Sequence, residues 1–208
     1  MKDDGLRFPL LLVISAPSGA GKTTLCDSVL KVLPGARRAV TCTTRKPRSG
    51  EKDGRDYYFI GKDEFLARVE GDEFLENAIV HGNHYGVLKS ELKAKLADGN
   101  DVLLNIDVQG AATIRERAGV DPILNRALVS VFLAPPSLAE LEHRLRGRGT
   151  ETEENIVQRL LVSKDEMVQA DFFDHTLISQ TREADLERLL EIIEQTRRVK
   201  LNTISMDE

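Results

Sequence analysis

The residues best suited to chemistry lie near the start of the chain, where Leu10-Leu11-Leu12-Val13-Ile14-Ser15 runs into Ala16-Pro17-Ser18-Gly19-Ala20-Gly21-Lys22-Thr23-Thr24. An apolar strand, a glycine-bearing turn, a lysine, a hydroxyl and then a helical period is the order a phosphate-binding loop requires. Gly19 and Gly21 let the backbone curl so that successive N–H groups point inward, and the start of the helix adds partial positive charge. In such a loop the lysine, Lys22, reaches the β- and γ-phosphates, and the Thr23 hydroxyl ligates Mg²⁺. The usual first glycine is replaced by Ala16, which fits if its φ is negative. The pattern predicts a nucleoside triphosphate site but leaves open whether the phosphoryl group goes to water, a protein or a small acceptor.

A second charged group follows. Residues 36–55 hold seven basic side chains (Arg37, Arg38, Arg45, Lys46, Arg48, Lys52 and Arg55) against Glu51 and Asp53, in a chain whose net charge is −5. A short basic stretch on an acidic protein suits a small anion, although composition alone fits a solvated loop equally well. The overall balance offers no footprint for duplex nucleic acid. Arg45 and Arg48 stand three apart where Pro47 and Gly50 prevent a helix, and two guanidinium forks can grip one phosphate with bidentate bonds. A kinase that holds a dianionic acceptor against the repulsion of its donor needs fixed arginines of this kind. No water-positioning residue or switch segment of a GTPase or motor announces itself.

The elements that must carry these groups read as an α/β domain. Buried-strand candidates are Leu10–Ile14, Val102–Ile106, Leu128–Leu133 and His175–Ile178, continuous apolar runs that suit a parallel sheet covered on both faces. Between them fall helical periods over 22–33, 109–118, 137–147, 153–169 and 183–199, with Pro34-Gly35 stopping the first. Residues 36–99 break this rhythm with short strand-like pieces (Tyr57–Ile60, Glu73–Ala78, Tyr85–Val87) and two short helices near 62–69 and 89–97, the pattern of a small mixed insertion. The stretch Gly119–Arg126 reads as an enlarged loop without function, and the chain is expected to fray after Leu201. No apolar run reaches the length of a membrane span, and Cys26 and Cys42 fit reduced thiols in the cytosol.

Taken together, the motifs resemble a known family. The cradle at 16–23, Thr43-Thr44-Arg45 with Pro47-Arg48 and Gly50-Glu51, Asp56-Tyr57-Tyr58-Phe59, Phe74-Leu75-Glu76, Gly82-Asn83-His84-Tyr85-Gly86, Ile106-Asp107-Val108-Gln109-Gly110, Ala134-Pro135-Pro136-Ser137 and Gly147-Arg148-Gly149-Thr150-Glu151 look like those of guanylate kinases, in that family's order, over about residues 8–190. The resemblance implies a three-layer P-loop NTPase core with a mostly parallel central sheet (8–35, 100–134 and 166–200). To this it adds a small mixed α/β GMP-binding insertion (36–99), a helical lid (135–165) and a flexible tail (201–208). It implies Mg²⁺-dependent transfer of the γ-phosphoryl group of ATP to GMP or dGMP, giving ADP and GDP or dGDP, which recycles GMP in purine metabolism. The partners implied are these nucleotides alone, with no nucleic acid polymer and no membrane, for a cytoplasmic monomer or weak homodimer.

Residue by residue, the resemblance assigns Arg45, Arg48, Tyr57 and Tyr85 to the phosphate of GMP. Glu76 matches the carboxylate that accepts from guanine N1–H and the 2-amino group, donors that adenine lacks on that edge, and Thr41 matches a hydroxyl near O6. Asp107 falls near the acceptor base and the Mg²⁺ shell, with direct guanine contact and an outer-sphere role both open. Residues Ala16 to Thr24 bind ATP, and Lys22, Arg45, Arg144, Arg148 and Arg159 are the catalytic cations, the last three being lid arginines that reach the donor phosphates on closure. Arg146 reads as a surface arginine with an i,i+4 partner. No general base is needed, since the acceptor phosphate is already an oxyanion.

Four positions depart from the family's pattern. Asn105 stands where relatives carry a second acid, Val87 where they carry a hydroxyl, and Ser179-Gln180 replaces an Asn-acid pair near the donor base. Val87 is expected to weaken GMP binding without altering base choice. Two rival readings are a non-catalytic interaction module built on the same fold, which the intact Gly21-Lys22-Thr23 opposes, and a kinase for a phosphorylated ribose, which would have no use for Thr41, Glu76 and Tyr85 together.

Overall fold

The computed structural model describes residues 8–80, 82–147 and 152–204. In chain order its elements are β1 (Leu11–Ser15), α1 (Lys22–Val32), β2 (Ala36–Arg38), β3 (Cys42–Thr43), β4 (Tyr58–Phe59), α2 (Lys62–Glu70), β5 (Phe74–Val80), β6 (Asn83–Leu88) and α3 (Lys89–Ala97). There follow β7 (Asp101–Asn105), α4 (Val108–Gly119), α5 (Pro122–Ala127), β8 (Leu128–Ala134), α6 (Leu138–Gly147), α7 (Glu153–Val168), a 3₁₀ turn at Gln169–Phe172, β9 (His175–Ile178) and α8 (Arg182–Ile204).

Five parallel strands form the main sheet in the order β2-β7-β1-β8-β9, so β1 lies at its centre and delivers the phosphate-loop sequence to the middle of the sheet's C-terminal edge. Side chains alternate between the two faces as strand geometry dictates. Leu12 and Ile14 of β1 join Val131 of β8, Leu25 and Val29 of α1, Leu141 and Leu145 of α6, and Leu189 and Ile193 of α8 in one buried cluster. Leu11 and Val13 face the other way, with Phe132 of β8, Leu92 of α3, Ile114 of α4 and Leu124 of α5. Apolar runs without alternation in polarity therefore mean a sheet buried on both sides, and the fold is three-layered α/β.

A second, four-stranded mixed sheet, β4-β3-β6-β5, makes the insertion. Its own core is small: Cys42, Phe65, Phe74 and Leu88, with Phe65 stacked on Phe74 at a 4.4 Å centroid distance. Leu75 and Val87 leave that core and pack into the second face of the main body, which fixes how β5 and β6 approach α4.

Three local expectations are corrected. Ala36–Arg38, read as the opening of the insertion, is the edge strand of the main sheet, paired with Asp101 to Leu103 of β7. Only Ala36 of its three residues is buried, so it lacks the continuous apolar run that marks the inner strands. The supposed loop Gly119–Arg126 contains α5: the Asp121 side chain accepts from the amides of Ile123 and Leu124, Pro122 occupies the first turn, and Leu124 is fully buried. Helix α8 continues through Ile204, past the expected fraying point, while residues 205–208 lie outside the described residues.

A buried ion pair fastens α8 to the start of the sheet. Asp101 is fully buried; its Oδ1 accepts from the Leu10 amide at 2.9 Å and its Oδ2 from Arg197 Nη2 at 2.7 Å. Arg197 also donates from Nε to the Phe8 carbonyl at 3.1 Å. Removing the guanidinium would strand a carboxylate between β1 and β7, so Arg197→Met is expected to lower the unfolding free energy by about 3 kcal/mol in urea titration. A loss below about 1 kcal/mol would show that the pair holds nothing together.

Candidate active site

Gly21 caps the N-terminus of α1 with φ 103°, and Gly19 has φ 100°, backbone states that side chains with a Cβ rarely adopt. Gly19 is constrained twice, because a Cβ there would come within 2.8 Å of Leu145 Cδ2 on α6. Ala16 is buried and its φ is not positive, which is why alanine serves where a glycine is usual. The loop is closed by the Ala20 amide donating to the Pro17 carbonyl at 3.1 Å.

Lys22, first residue of α1, crosses to the neighbouring strand's end and donates from Nζ to the Ile106 carbonyl at 2.7 Å. Burial pulls its pKa below the ordinary lysine value, while the fields of Asp107, Cys26 and Glu166 pull it back up. Asp107 lies just beyond β7 as the N-cap of α4, its Oδ1 accepting from the Gly110 amide at 2.8 Å. Asn105 Nδ2 lies 3.4 Å from Thr23 Oγ1, so the amide that replaces a second acid still touches the hydroxyl at the head of α1. Residues 16–19 and 21–24 of the loop line a cavity of about 290 Å³ together with Asp107 and Glu166.

Glu76 lies on β5, where the register with β6 shifts, and pairs across the strands with Val87. Burial, reinforced by the negative charge of Asp107, pushes its carboxyl up to about 7, and Arg117 offsets part of this. Glu76, Asp107 and Lys22 are thus electrostatically linked from the insertion into the cradle. Val87 is 3% exposed, so the position read as a missing hydroxyl is apolar packing.

The clamp residues gather on the insertion's sheet. Arg45 donates from Nη2 and Nη1 to the two oxygens of Glu51 at 2.8 and 3.0 Å, and its guanidinium lies 5.3 Å from the Tyr57 ring centroid. Tyr57 meets Tyr85 edge-on at 6.1 Å. Glu51 also accepts from the Arg48 amide at 2.7 Å, which brings the Arg45 guanidinium and the Arg48 backbone round one carboxylate; the Arg48 side chain is exposed. Thr41, half-buried, precedes β3 and accepts from the Tyr58 amide through its carbonyl.

The lid arginines separate. Arg159 on α7 donates to the Ser18 hydroxyl of the loop. Arg144 on α6 is held by Glu140 at 2.9 Å and donates to Ser179 Oγ at 3.0 Å and to the Ala20 carbonyl at 3.5 Å, on the outer side of the loop. Arg146 bonds Glu142 one turn away and Glu153 across to α7, the surface pairing expected of it. Arg148 lies outside the described residues.

Two neighbours of the site escaped the sequence reading. Glu166 faces the loop seven residues after Arg159, on the same side of α7. Burial raises its pKa, with Lys22 lowering and Asp107 raising it, and its Oε2 has no hydrogen-bond partner among the described residues. The i,i+7 spacing from Arg159 was the one available sign. Asp185, buried at the start of α8, binds Ser179 and Gln180. Nothing in its local pattern separates it from the acidic surface of that helix. No helix among the described residues is long and apolar enough to cross a membrane.

Comparison with known proteins agrees with this geometry. Residues 9–196 match the family model described as guanylate kinase. The guanylate kinase of Cereibacter sphaeroides is 44% identical over 92% of this chain and 88% of its own length, and that of Thermotoga maritima 42% identical over 90% and 87%. The crystal structure of guanylate kinase from Anaplasma phagocytophilum superposes with a TM-score of 0.66 at 30% identity, covering 92% of this chain and 87% of that one. With a phosphate cradle at the centre of a parallel sheet and an arginine-bearing insertion beside it, the chain belongs to the guanylate kinase family and is a nucleoside monophosphate kinase.

Proposed function

We propose that the protein transfers the γ-phosphoryl group of ATP to GMP or dGMP, with the roles distributed as the sequence motifs imply. The observation that carries this reading is the Glu76–Asp107–Lys22 series, which links a dehydrated carboxylate suited to guanine's N1–H and 2-amino donors to an anion cradle. Lys22 and the loop amides from Ser18 to Thr24 hold the donor phosphates. Arg45 and Arg48, with Tyr57 and Tyr85, hold the phosphate of the acceptor; Arg159, and Arg148 with it, neutralise charge on the transferring group.

The donor set also fits Mg²⁺. The Thr23 hydroxyl is exposed at the cradle's mouth, Asp107 and Glu166 line the same cavity, and an orphaned carboxylate oxygen on Glu166 suits a hard cation or its water. When bound, Mg²⁺ supplies charge neutralisation at the donor phosphates. This chain's residues do the remaining work: they align an acceptor that is already an oxyanion with the donor, and the lid excludes water that would otherwise take the phosphoryl group. The net charge of −5 favours free nucleotides over a polymer as partners. The reading extends to a cytoplasmic monomer or weak homodimer.

Lys22→Ala is expected to reduce turnover by about 10³-fold or more in a coupled ADP-release assay with GMP, at unchanged far-ultraviolet circular dichroism. Near-normal turnover would remove the cradle from the mechanism.

Guanine binding needs Glu76 ionised, whereas the free carboxyl titrates at about 7. Below that pH a proton must leave before GMP binds, so calorimetric affinity should fall about tenfold per pH unit below 7 and level off above it. The nucleotide's own phosphate ionisation near pH 6 affects wild type and variant alike. Glu76→Gln should therefore lose the additional pH dependence, and discriminate GMP from AMP about 10²-fold less well. Identical pH profiles in the two proteins would take Glu76 out of base recognition.

A further inference from the structure

Glu76 reaches the site through an irregular strand. Phe74 pairs with Leu88 and Glu76 with Val87, so β5 carries a residue, Leu75, that β6 does not match. This is the count of a β-bulge, which interrupts the ladder and redirects side chains. In a regular strand Glu76 would share the face of Phe74, whose ring lies in the insertion's own core. Instead Leu75 packs into the main body, and Glu76 next to it lies within the fields of Asp107 and Arg117. The extra residue turns the carboxylate away from the insertion and toward α4.

The bulge is held from outside the insertion. Arg117, in the last turn of α4, donates from Nη1 to the Phe74 carbonyl at 2.6 Å. The same nitrogen lies 3.3 Å from Asp72 Oδ1, and Asp72 Oδ2 accepts from Lys89 Nζ at 2.7 Å. Asp72 forms the turn into β5 with φ 51°, a left-handed state that no other non-glycine among the described residues adopts. The Phe74 ring stacks on Phe65 and lies so close to Gly86 that a Cβ there would come within 2.7 Å of it. Ring and carbonyl of the residue before the bulge are thus both fixed, the carbonyl by an arginine that phosphoryl transfer as described does not use.

Among the described residues the charged groups acting on Glu76 are Asp107, which caps the start of α4, and Arg117, near its end. The rest of β5 carries no charge, and β6 faces Glu76 with Val87. Like charge at Asp107 opposes an ionised Glu76, and opposite charge at Arg117 favours it.

We infer that Arg117 is a positioning residue for guanine recognition: its grip on the Phe74 carbonyl fixes the bulge that aims Glu76, and its positive charge balances Asp107 beside that carboxylate. Guanine's two donors must both be met at once, so a small rotation of β5 would cost one of the two bonds. The inference rests on the reading of Glu76 as the guanine carboxylate and adds the residue that aims it.

The test measures phosphorylation of GMP and of IMP, which keeps guanine's N1–H and lacks its 2-amino group. Arg117→Gln, shorter and uncharged, is expected to raise the KM for GMP about tenfold and to shrink the GMP-over-IMP preference about fivefold. Turnover at saturation and the KM for ATP should stay within about twofold of wild type. Arg117→Lys, which keeps the charge and a donor, should restore most of the preference. In a Glu76→Gln background the Arg117→Gln change should add less than about twofold. An Arg117→Gln protein with wild-type KM and preference overturns the inference, as does one in which only the unfolding midpoint falls. So does a tenfold effect that persists without the Glu76 carboxylate, since Arg117 would then act elsewhere. If the glutamine variant fails to fold, Arg117→Met, which keeps the apolar stem, carries the same expectations. A Glu76→Gln protein with wild-type GMP-over-IMP preference would sink the reading of Glu76 itself, a result independent of any change at Arg117.

Discussion

A site for two nucleotides must gather positive charge where two polyanions will meet, and here that task depends on how one lysine is held. Lys22 is anchored by the carbonyl of Ile106, which comes from the neighbouring strand's end, not from the loop itself. The parallel register makes this possible: Ile14 pairs with Asn105, and the Ile106 amide donates to the Ile14 carbonyl at 3.2 Å. A slip in that register would move Ile106 away from Lys22 and turn Asn105 and Asp107 from the site. Beside the lysine stand Asp107 and Glu166, the latter with its pKa raised by burial, so the free site holds ionisable groups that bound phosphates, metal and guanine would each rebalance.

The insertion, which on the proposed roles holds the acceptor, orders its cation differently. Arg45 is oriented by Glu51 and by the Tyr57 and Phe59 rings, in a bend just past β3 that is pinned by hydroxyls: Thr43 Oγ1 accepts from the Arg45 amide and Thr44 Oγ1 from the His84 amide. Ion pairs near the surface contribute little to stability, and the value of the half-buried Arg45–Glu51 pair lies in aiming a long side chain before an anion arrives. Only a few apolar residues fasten this sheet to the main body. Leu75 and Val87 flank Glu76 in sequence and across the strands, so the packing that docks the insertion also sets the depth of its carboxylate.

The sequence was most legible where local chemistry and local conformation coincide. The cradle could be read because Gly19, Gly21, Lys22 and Thr23 are consecutive and their backbone states follow from residue type. The inner strands could be read because burial on both faces demands unbroken apolar runs. Asp107 was found, but its role as an N-cap was not, since capping depends on where the strand stops. β2 was missed because an edge strand with two exposed arginines carries no apolar signature, and α5 because Asp121-Pro122 reads equally as a turn. Glu166 and Asp185 were invisible for a deeper reason. Each is an acidic residue on a helix rich in acids, and only tertiary packing decides which of those acids faces the nucleotide site.

The lid shows how that packing becomes mechanism. Helix α6 lays Leu141 and Leu145 against Gly19 and points Arg144 at the Ala20 carbonyl, while α7 reaches Ser18 through Arg159. The two helices are joined by Arg146 and Glu153, with 2.5 Å contacts from both terminal nitrogens. Loop and lid therefore form one contact network. The Ser18 hydroxyl is a neutral acceptor, and a phosphate oxygen is a charged one that forms a stronger bond with a guanidinium. On the proposed roles, a donor phosphate would replace Ser18 as the partner of Arg159 at a net gain. On the proposed assignment of α6 and α7 as a lid, that gain exists only when the lid is close enough for the exchange, so donor binding would favour the closed lid by the difference between the two bonds. The same contact that seats α7 on an empty loop is the one the triphosphate would take over.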